Sequence, residues 1–384
     1  MKLKIYFIVI SLLILGAVVT GCGEQTAPPP TLPPTLAVIP TETLIPSLVP
    51  TETLQPSATT VRTPPALPGI YTSSYLNPLD YPHIYIEDAC QYLQMKWNPE
   101  NAAPGTVVMV IMFHSISKDS DYGADDISQG DFRIMMDALH EQQFTAINAE
   151  QLANFLDYNS YIPARSVVLI ADDRHYAQYF NNFFRPYYDA YNWPVVNGWI
   201  SHPETLPVLW AEMEGLAQEG WVDFQAHGVI HNTMISEYSS DDFIIGELQG
   251  SIDAIQQHFG KPPIGYVWPG GGFAQRGVQL ARYSGYRVGF TINPRGPVMF
   301  NWIPLADEKD PHRPSYLPEG QMFDPRLVLP RYWPSQVIYE IDNVRVMGKE
   351  AAAYAAQVRP IELEYYDIVC TPGYGPIPGL SEGQ

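Results

Sequence analysis

The chain has few basic side chains. Its 21 lysines and arginines are outnumbered by 41 aspartates and glutamates, which gives a net charge of -20 at pH 7. A surface that binds nucleic acid or an anionic membrane needs a cluster of positive charge, and this composition argues against one. We therefore expect no nucleic-acid partner. The hydrophobic fraction of 46% over 384 residues is sufficient for a large buried core.

The N-terminal apolar run is too short to span a membrane. Residues 5–19 follow Lys2 and Lys4, and they fall short of the ~20 apolar residues that a spanning helix requires. Small residues then precede Cys22. This arrangement resembles a bacterial lipoprotein signal, so we expect lipid on the Cys22 sulfur and a membrane-anchored location at the cell surface. An ordinary secretory signal with an incidental cysteine is the alternative.

Cysteine is rare, with three in the whole chain. Beyond Cys22, Cys90 and Cys370 flank the body of the sequence. Export would place both in an oxidising compartment, where a disulfide would join the two ends of the domain. Two free buried thiols are the alternative, and the sequence leaves both open.

Proline is concentrated near the N-terminus. Residues 25–67 are dominated by proline and threonine, a composition that cannot bury a core and favours extended chain. About forty such residues at ~3.1 Å each reach on the order of 100 Å. We expect a signal peptide at 1–21, a lipidated cysteine and linker at 22–68, a lead-in segment at 69–104, a barrel at 105–335 and a C-terminal extension packed on the barrel at 336–384.

Strands and helices alternate through the body of the chain. Apolar runs predict strands at 106–112, 167–171, 194–198, 221–226, 265–268 and 287–291, with a further candidate at 326–329. Amphipathic spacing and caps predict helices at 87–96, 131–142, 148–156, 176–191, 209–216, 245–259 and 275–284. This alternation predicts an α/β fold, a distorted or incomplete (β/α) barrel with a parallel sheet. In such barrels the functional side chains lie at the C-terminal ends of the strands.

Two of these strand ends carry the side chains of a metal site. One strand runs into Asp172 and Asp173, whose like charges need a cation, a shared proton or water nearby; a helix cap is the alternative for this pair. Another strand runs into His227, with His231 four residues later. If the backbone turns helically there, both imidazoles project to one face. Two imidazoles and one carboxylate with open positions are typical of a catalytic metal centre, and the second carboxylate can then serve as a base.

These residues resemble the motifs of the polysaccharide deacetylases of carbohydrate esterase family four. The resemblance covers residues 106–291 in the family's order, and three ordered motifs are more specific than any one of them. One branch of the family has an early strand that ends in an aromatic-His-Ser turn, and Phe113-His114-Ser115 resembles that turn. This branch includes exported enzymes acting on N-acetylglucosamine polymers. The three family motifs are matched by the Asp172-Asp173 pair, by His227 with His231, and by the turn Trp268-Pro269-Gly270-Gly271.

The resemblance implies a role for each of these residues. Asp173, His227 and His231 would hold a divalent metal, usually zinc. Asp172 would be the base that activates the attacking water, and His114 the acid that protonates the departing amine. The loop 268–271 would contribute to substrate and oxyanion binding. The implied substrate is an N-acetylglucosamine-type polysaccharide of the surface or cell wall, and acetate would be released.

Two positions depart from the family pattern. Arg174 stands where the family has glycine, and a positive φ there would strain an arginine. The arginine that tethers the base in the family has no match in residues 264–267. We therefore expect Arg174 to take its place, by forming a salt bridge to the base or lowering the pKa of that carboxylate. A degenerate protein that binds sugar without hydrolysis is one alternative. A glycoside hydrolase is another, but adjacent aspartates are poorly placed to flank a sugar.

Other side chains carry weaker predictions. His175 is expected to be a loop or helix-start residue rather than a ligand. Four tryptophans are candidates for a sugar-stacking groove, although each is more often a core residue: Trp199, Trp268, Trp302 and Trp333.

Overall fold

The computed structural model describes residues 62–118, 125–231 and 233–380. The predicted signal peptide, Cys22 and most of the linker lie outside these residues. The strands are β1 Asp80–His83, β2 Val107–Phe113, β3 Ser115–Ser117, β4 Asp126–Ser128, β5 Thr145–Ala146, β6 Arg165–Asp172, β7 Val195–Trp199, β8 Val222–Ala226, β9 Gly265–Val267, β10 Val288–Phe290 and β11 Ile303–Ala306. The helices are α1 Ala89–Trp97, α2 Gln129–Glu141, α3 Ala149–Tyr158, α4 Ala177–Phe183, α5 Arg185–Tyr191, α6 Pro207–Glu219, α7 Asp241–Phe259, α8 Gln275–Tyr283, α9 Pro334–Tyr365 and α10 Thr371–Tyr374.

A parallel sheet forms the centre of the described domain. Its strands lie in the order β10-β9-β8-β7-β6-β2, with short β5 also paired to β6. β2 pairs with β6 in register from Val107 opposite Arg165 to Phe113 opposite Ala171. Every residue of β2 is buried, as its continuous apolar sequence predicts for a strand covered on both faces. The predicted α/β fold with a parallel sheet is confirmed.

An irregular segment, residues 327–332, closes the gap between the two edge strands. The Leu329 N–H donates to the Gly289 carbonyl of β10 at 2.8 Å, and the Tyr332 N–H donates to the Val110 carbonyl of β2 at 2.8 Å. Gly289 permits this approach, because a Cβ there would lie 2.2 Å from the Leu327 carbonyl oxygen. The sheet is therefore an incomplete barrel. The irregular segment at 327–332 bridges its two edge strands in the place of an eighth regular strand.

The strand expected at 326–329 is wrong. Residues Pro325–Leu327 form a 3-10 turn, and the chain that follows is irregular. Pro330 has no N–H to donate to a ladder, and the backbone bonds on its two sides go to different strands. A regular strand cannot form under these conditions.

Two helical predictions also need correction. The helix expected at 176–191 is split into α4 and α5 at Phe184, because Pro186 lies in the first turn of α5 and lacks the N–H that would continue α4. The 32-residue helix α9 was not predicted. Its buried residues recur at helical spacing, so the signal was present in the sequence: Val337, Ile341, Val344, Met347, Ala351, Ala355 and Val358.

A disulfide joins the lead-in segment to the C-terminal region. Cys90 in α1 bonds to Cys370, with 5.3 Å between the Cα atoms. Leu93, Tyr366 and Ile377 form a small core around this bond. No helix in the described part of the chain is long and apolar enough to cross a membrane.

Replacing both Cys90 and Cys370 with serine is expected to lower the free energy of unfolding by on the order of 2–5 kcal/mol, because the bond closes a loop of 280 residues. Urea unfolding with and without reductant measures this difference. Reductant should destabilise the wild type but leave the double variant unchanged. Equal unfolding midpoints for the oxidised wild type and the double variant would contradict the expectation.

Candidate metal centre

A backbone turn at the end of β6 places its two adjacent aspartate side chains in different environments. β6 ends at Asp172, and Asp173 adopts a left-handed conformation with φ of 73°. The Asp172 side chain is 1% exposed and that of Asp173 is 35% exposed. Arg174 does not have a positive φ. The expected strain at Arg174 is therefore absent, since the left-handed position lies one residue earlier.

The histidine pair converges without a helical turn, contrary to the expected local geometry. The backbone leaves β8 at His227 and turns at Gly228, where φ is 75°. A Cβ at this glycine would lie 2.6 Å from a Glu247 carboxylate oxygen. That carboxylate, from α7, accepts hydrogen bonds from the Val229 N–H at 2.8 Å and the Ile230 N–H at 2.9 Å. Glu247 thus shapes the turn that directs both imidazoles to one side.

Asp173, His227 and His231 come together at this point. The Asp173 Oδ1 atom lies 3.3 Å from His231 Nε2 and 3.7 Å from His227 Nε2. One ligand atom from each of the three residues lies within 4.8 Å of the others. Two of these atoms, Asp173 Oδ1 and His227 Nε2, are buried and have no hydrogen-bond partner among the described residues. A buried polar atom without a partner is costly, and a cation between these side chains would satisfy both.

The protonation of His227 suits a metal ligand. Its Nδ1 donates to the Val267 carbonyl at 2.8 Å, which leaves the lone pair on Nε2 facing Asp173. Burial lowers the pKa of His227 despite the nearby Asp172 and Asp173 carboxylates. The neutral imidazole is therefore favoured near pH 7. A carboxylate and two imidazoles form a donor set that fits a divalent metal such as zinc.

Asp172 is held by an arginine from the closing segment. Arg331 Nη1 lies 2.8 Å from both oxygens of Asp172, and both side chains are 1% exposed. Arg331 also donates from Nε to the Thr291 carbonyl at 2.6 Å. Burial alone would raise the pKa of Asp172, but the Arg331 guanidinium, with His227 and His114, outweighs it and lowers that pKa. Asp172 is therefore ionised at neutral pH.

Arg174 does not take the tethering role that the sequence suggested. Its Nη1 donates to Thr205 Oγ1 at 3.0 Å, and the contact with Asp172 belongs to Arg331. His114, from the end of β2, lies on another side of Asp172, with its Nε2 3.5 Å from Asp172 Oδ2. The sequence placed residues 330–333 within possible reach of the site's rim, but it did not indicate that Arg331 pairs with Asp172, 159 positions away.

The loop at 268–271 borders the histidine turn, but its tryptophan is not a sugar-stacking residue. Trp268 is completely buried, and its indole N–H donates to the Leu327 carbonyl at 2.8 Å. Trp199 and Trp302 are also core residues. Pro269 packs against the turn between the histidines, since a Cβ at Gly228 would lie 2.9 Å from its Cγ.

Within the same loop, Gly270 and Gly271 have positive φ angles of 59° and 68°. His175 is not one of the grouped ligands. It contacts the Asp172 carbonyl through Nε2 at 2.8 Å and stacks on Tyr179.

The fold and the side chains of this site define an α/β-barrel enzyme with a candidate metal centre. Residues 163–289 match the family model for polysaccharide deacetylase, a segment that runs from before β6 into β10. The match identifies a polysaccharide deacetylase domain in this segment, which indicates a hydrolase acting on carbon–nitrogen bonds other than peptide bonds. A search of curated proteins gave no match.

Solved structures of deacetylases are similar to this chain. The Streptococcus pyogenes deacetylase PplD, in complex with acetate, is 18% identical with a TM-score of 0.48, over 62% of this chain and 99% of that one. A polysaccharide deacetylase from Bacillus cereus is 17% identical with a TM-score of 0.46, over 61% and 69%. IcaB from Ammonifex degensii is 14% identical with a TM-score of 0.46, over 63% and 98%.

Replacing Arg331 with methionine is expected to destabilise the protein by about 3–5 kcal/mol, because it leaves the Asp172 carboxylate buried without its partner. Adding Asp172→Asn should recover much of this loss, since no isolated charge then remains. Urea unfolding of the two single variants and the double variant measures the coupling. Arg174→Met, an exposed control, should change stability by no more than about 0.5 kcal/mol. Additive effects of the two substitutions would show that the pair is not coupled.

Replacing Glu247 with glutamine is expected to weaken zinc binding by about 10–100-fold, because the turn between the histidines loses a carboxylate that accepts from two backbone N–H groups. Competition of the protein with a zinc chelator measures the affinity. Glu237→Gln removes an exposed carboxylate from the same loop and should bind zinc like the wild type. Equal affinities for the Glu247 and Glu237 variants would refute a role for Glu247 in shaping the site.

Proposed function

We propose that this protein is a metal-dependent N-deacetylase of an N-acetylglucosamine-type polysaccharide of the surface or cell wall. The observation that carries the proposal is the grouping of Asp173, His227 and His231, with unpartnered ligand atoms, beside the Asp172–His114 pair. One acid, one base and one metal site within a few ångströms are the components needed to hydrolyse an amide.

Asp173, His227 and His231 are proposed to hold a divalent cation, with zinc the best match for two imidazoles and one carboxylate. When bound, such a cation polarises the acetamide carbonyl and lowers the pKa of water at the site. The Val267 carbonyl and Glu247 act as supports, because the first fixes the His227 ring and the second fixes the turn that follows it.

Asp172 is proposed as the general base. Its lowered pKa keeps it ionised, and the Arg331 guanidinium fixes the orientation of both carboxylate oxygens. From that position Asp172 takes the proton of the attacking water as the new carbon–oxygen bond forms. His114 is partly exposed, with its Nε2 3.5 Å from Asp172 Oδ2, and from there it donates a proton to the amine as the carbon–nitrogen bond breaks. The products are acetate and a free amino sugar.

The protein is further proposed to act outside the cytoplasm, anchored by lipid on Cys22 and extended from the membrane by the linker at 22–68. The Cys90–Cys370 disulfide supports an oxidising location. We retain the proposed division into a lead-in segment at 69–104, a barrel at 105–335 and a C-terminal extension at 336–384. The extension begins within α9, and it is bound covalently to the lead-in segment.

Acetate release from N-acetylglucosamine oligomers tests the proposed reaction. The zinc-loaded wild type should release acetate, and Asp172→Asn should lower kcat by about 100-fold or more, since the base is lost. Bound zinc should be near one per chain in the wild type and should be lost in His227→Ala. His312→Ala removes an exposed imidazole away from the site and should keep both zinc and activity.

A wild type that binds zinc but releases no acetate from any oligomer would refute the enzymatic proposal. A carbohydrate-binding role on the same fold would then account better for the chain.

A further inference from the structure

A cavity lies outside the candidate metal centre. It has a volume of about 480 Å³, within the range of roughly 300–1,000 Å³ typical of small-molecule sites. The lead-in segment, the loop after β10, the loop at 313–316 and the first turns of α9 form its walls. None of His114, Asp172, Asp173, His227 or His231 lines it.

Four tyrosines dominate the lining: Tyr75, Tyr316, Tyr332 and Tyr339. Tyr75 and Tyr339 are 46% and 78% exposed, so their rings are available at the mouth of the cavity. Tyrosine rings offer an apolar face to the C–H groups of a sugar and a hydroxyl at the edge. Asn77 and Gln336 add exposed amide groups on the same rim.

One tyrosine in the lining of the cavity has an unsatisfied hydroxyl that is itself enclosed by protein. Tyr332 is 3% exposed, and its OH has no hydrogen-bond partner among the described residues. Burial, together with the Glu340 carboxylate, raises the pKa of Tyr332, so the phenol keeps its proton and can donate. A buried donor without a partner is costly, and a small shift of the Tyr332 side chain toward the cavity would let a hydroxylated ligand satisfy it. Tyr332 follows Arg331, which points instead to Asp172.

The charges around the cavity are balanced within the protein. Asp80 is paired with Arg295 at 3.0 Å and with Arg313 at 2.8 Å, and Glu340 accepts from the Asn343 amide at 3.1 Å. The two arginines and the two carboxylates in the lining together carry no net charge, so an ion of either sign would gain little net attraction. The balance favours a neutral, polyhydroxylated ligand over a charged one.

We propose that this cavity is a second carbohydrate-binding site, which holds a neutral sugar unit of a glycan between the tyrosines of the rim and the buried Tyr332 hydroxyl. The site is separate from the metal centre and binds without chemistry. A polysaccharide held there would be kept close to the enzyme, which raises its effective concentration at the metal centre.

Titration calorimetry on the full chain, with chelator present, tests the site directly. The two probes are an N-acetylglucosamine tetramer and cellotetraose, which share hydroxylated pyranose rings but differ in the acetamide. At least one should bind, and Tyr339→Ala should weaken its binding about tenfold through the lost ring contact. Tyr332→Phe removes only the buried hydroxyl and should weaken binding severalfold without lowering the unfolding midpoint. Tyr283→Ala, a 90% exposed tyrosine on α8, is the matched control and should have no effect.

Failure of both probes to bind would overturn the proposal, as would equal affinities for the wild type, Tyr339→Ala and Tyr332→Phe. A kinetic measurement gives a second test of the site, and it rests on the proposed deacetylase function, whereas the calorimetry does not. Tyr339→Ala should raise KM for long polymer while kcat on a disaccharide stays unchanged. Absence of acetate release with retained tyrosine-dependent binding would refute the proposed reaction and leave the second site in place.

Discussion

The contact between Arg331 and Asp172 links the fold to the site. A carboxylate this deeply buried is stable as an anion only beside a compensating charge, and Arg331 Nη1 supplies it 2.8 Å from both carboxylate oxygens. Arg331 lies in the segment at 327–332 that bonds to both edge strands. Closure of the barrel and orientation of the carboxylate therefore depend on the same segment of chain.

Much of the fold was predictable because the parallel sheet has an unambiguous pattern. Strands buried on both faces require continuous apolar runs, and crossover helices require amphipathic ones, so the sequence around β2 and β6 permits few alternatives. The candidate site followed from the same logic, since polar residues that interrupt such strands lie at their carboxyl ends. The strand-end pattern in the sequence is therefore enough to group Asp172, Asp173, His227 and His231.

The remaining features depend on tertiary contacts that local patterns do not encode. Arg331 comes from irregular chain, and nothing near it in sequence indicates the carboxylate that it meets. The left-handed turn at Asp173 breaks the expectation that glycine marks such positions, because aspartate tolerates this conformation better than most residues. Trp268 is a second case. The family resemblance placed it in a substrate loop, while its residue type favours the core. The structure buries it completely, with its indole N–H donating to the Leu327 carbonyl.

The bond between Cys90 and Cys370 also changes what cleavage of the backbone would do. These two positions enclose most of the described chain, including all strands of the parallel sheet. A protease that cuts any surface loop between them produces two fragments that remain covalently joined. Because the fragments cannot diffuse apart, they keep a high local concentration for each other and can stay docked. An enzyme exposed to extracellular proteases would thereby tolerate nicks that dismantle an unlinked barrel.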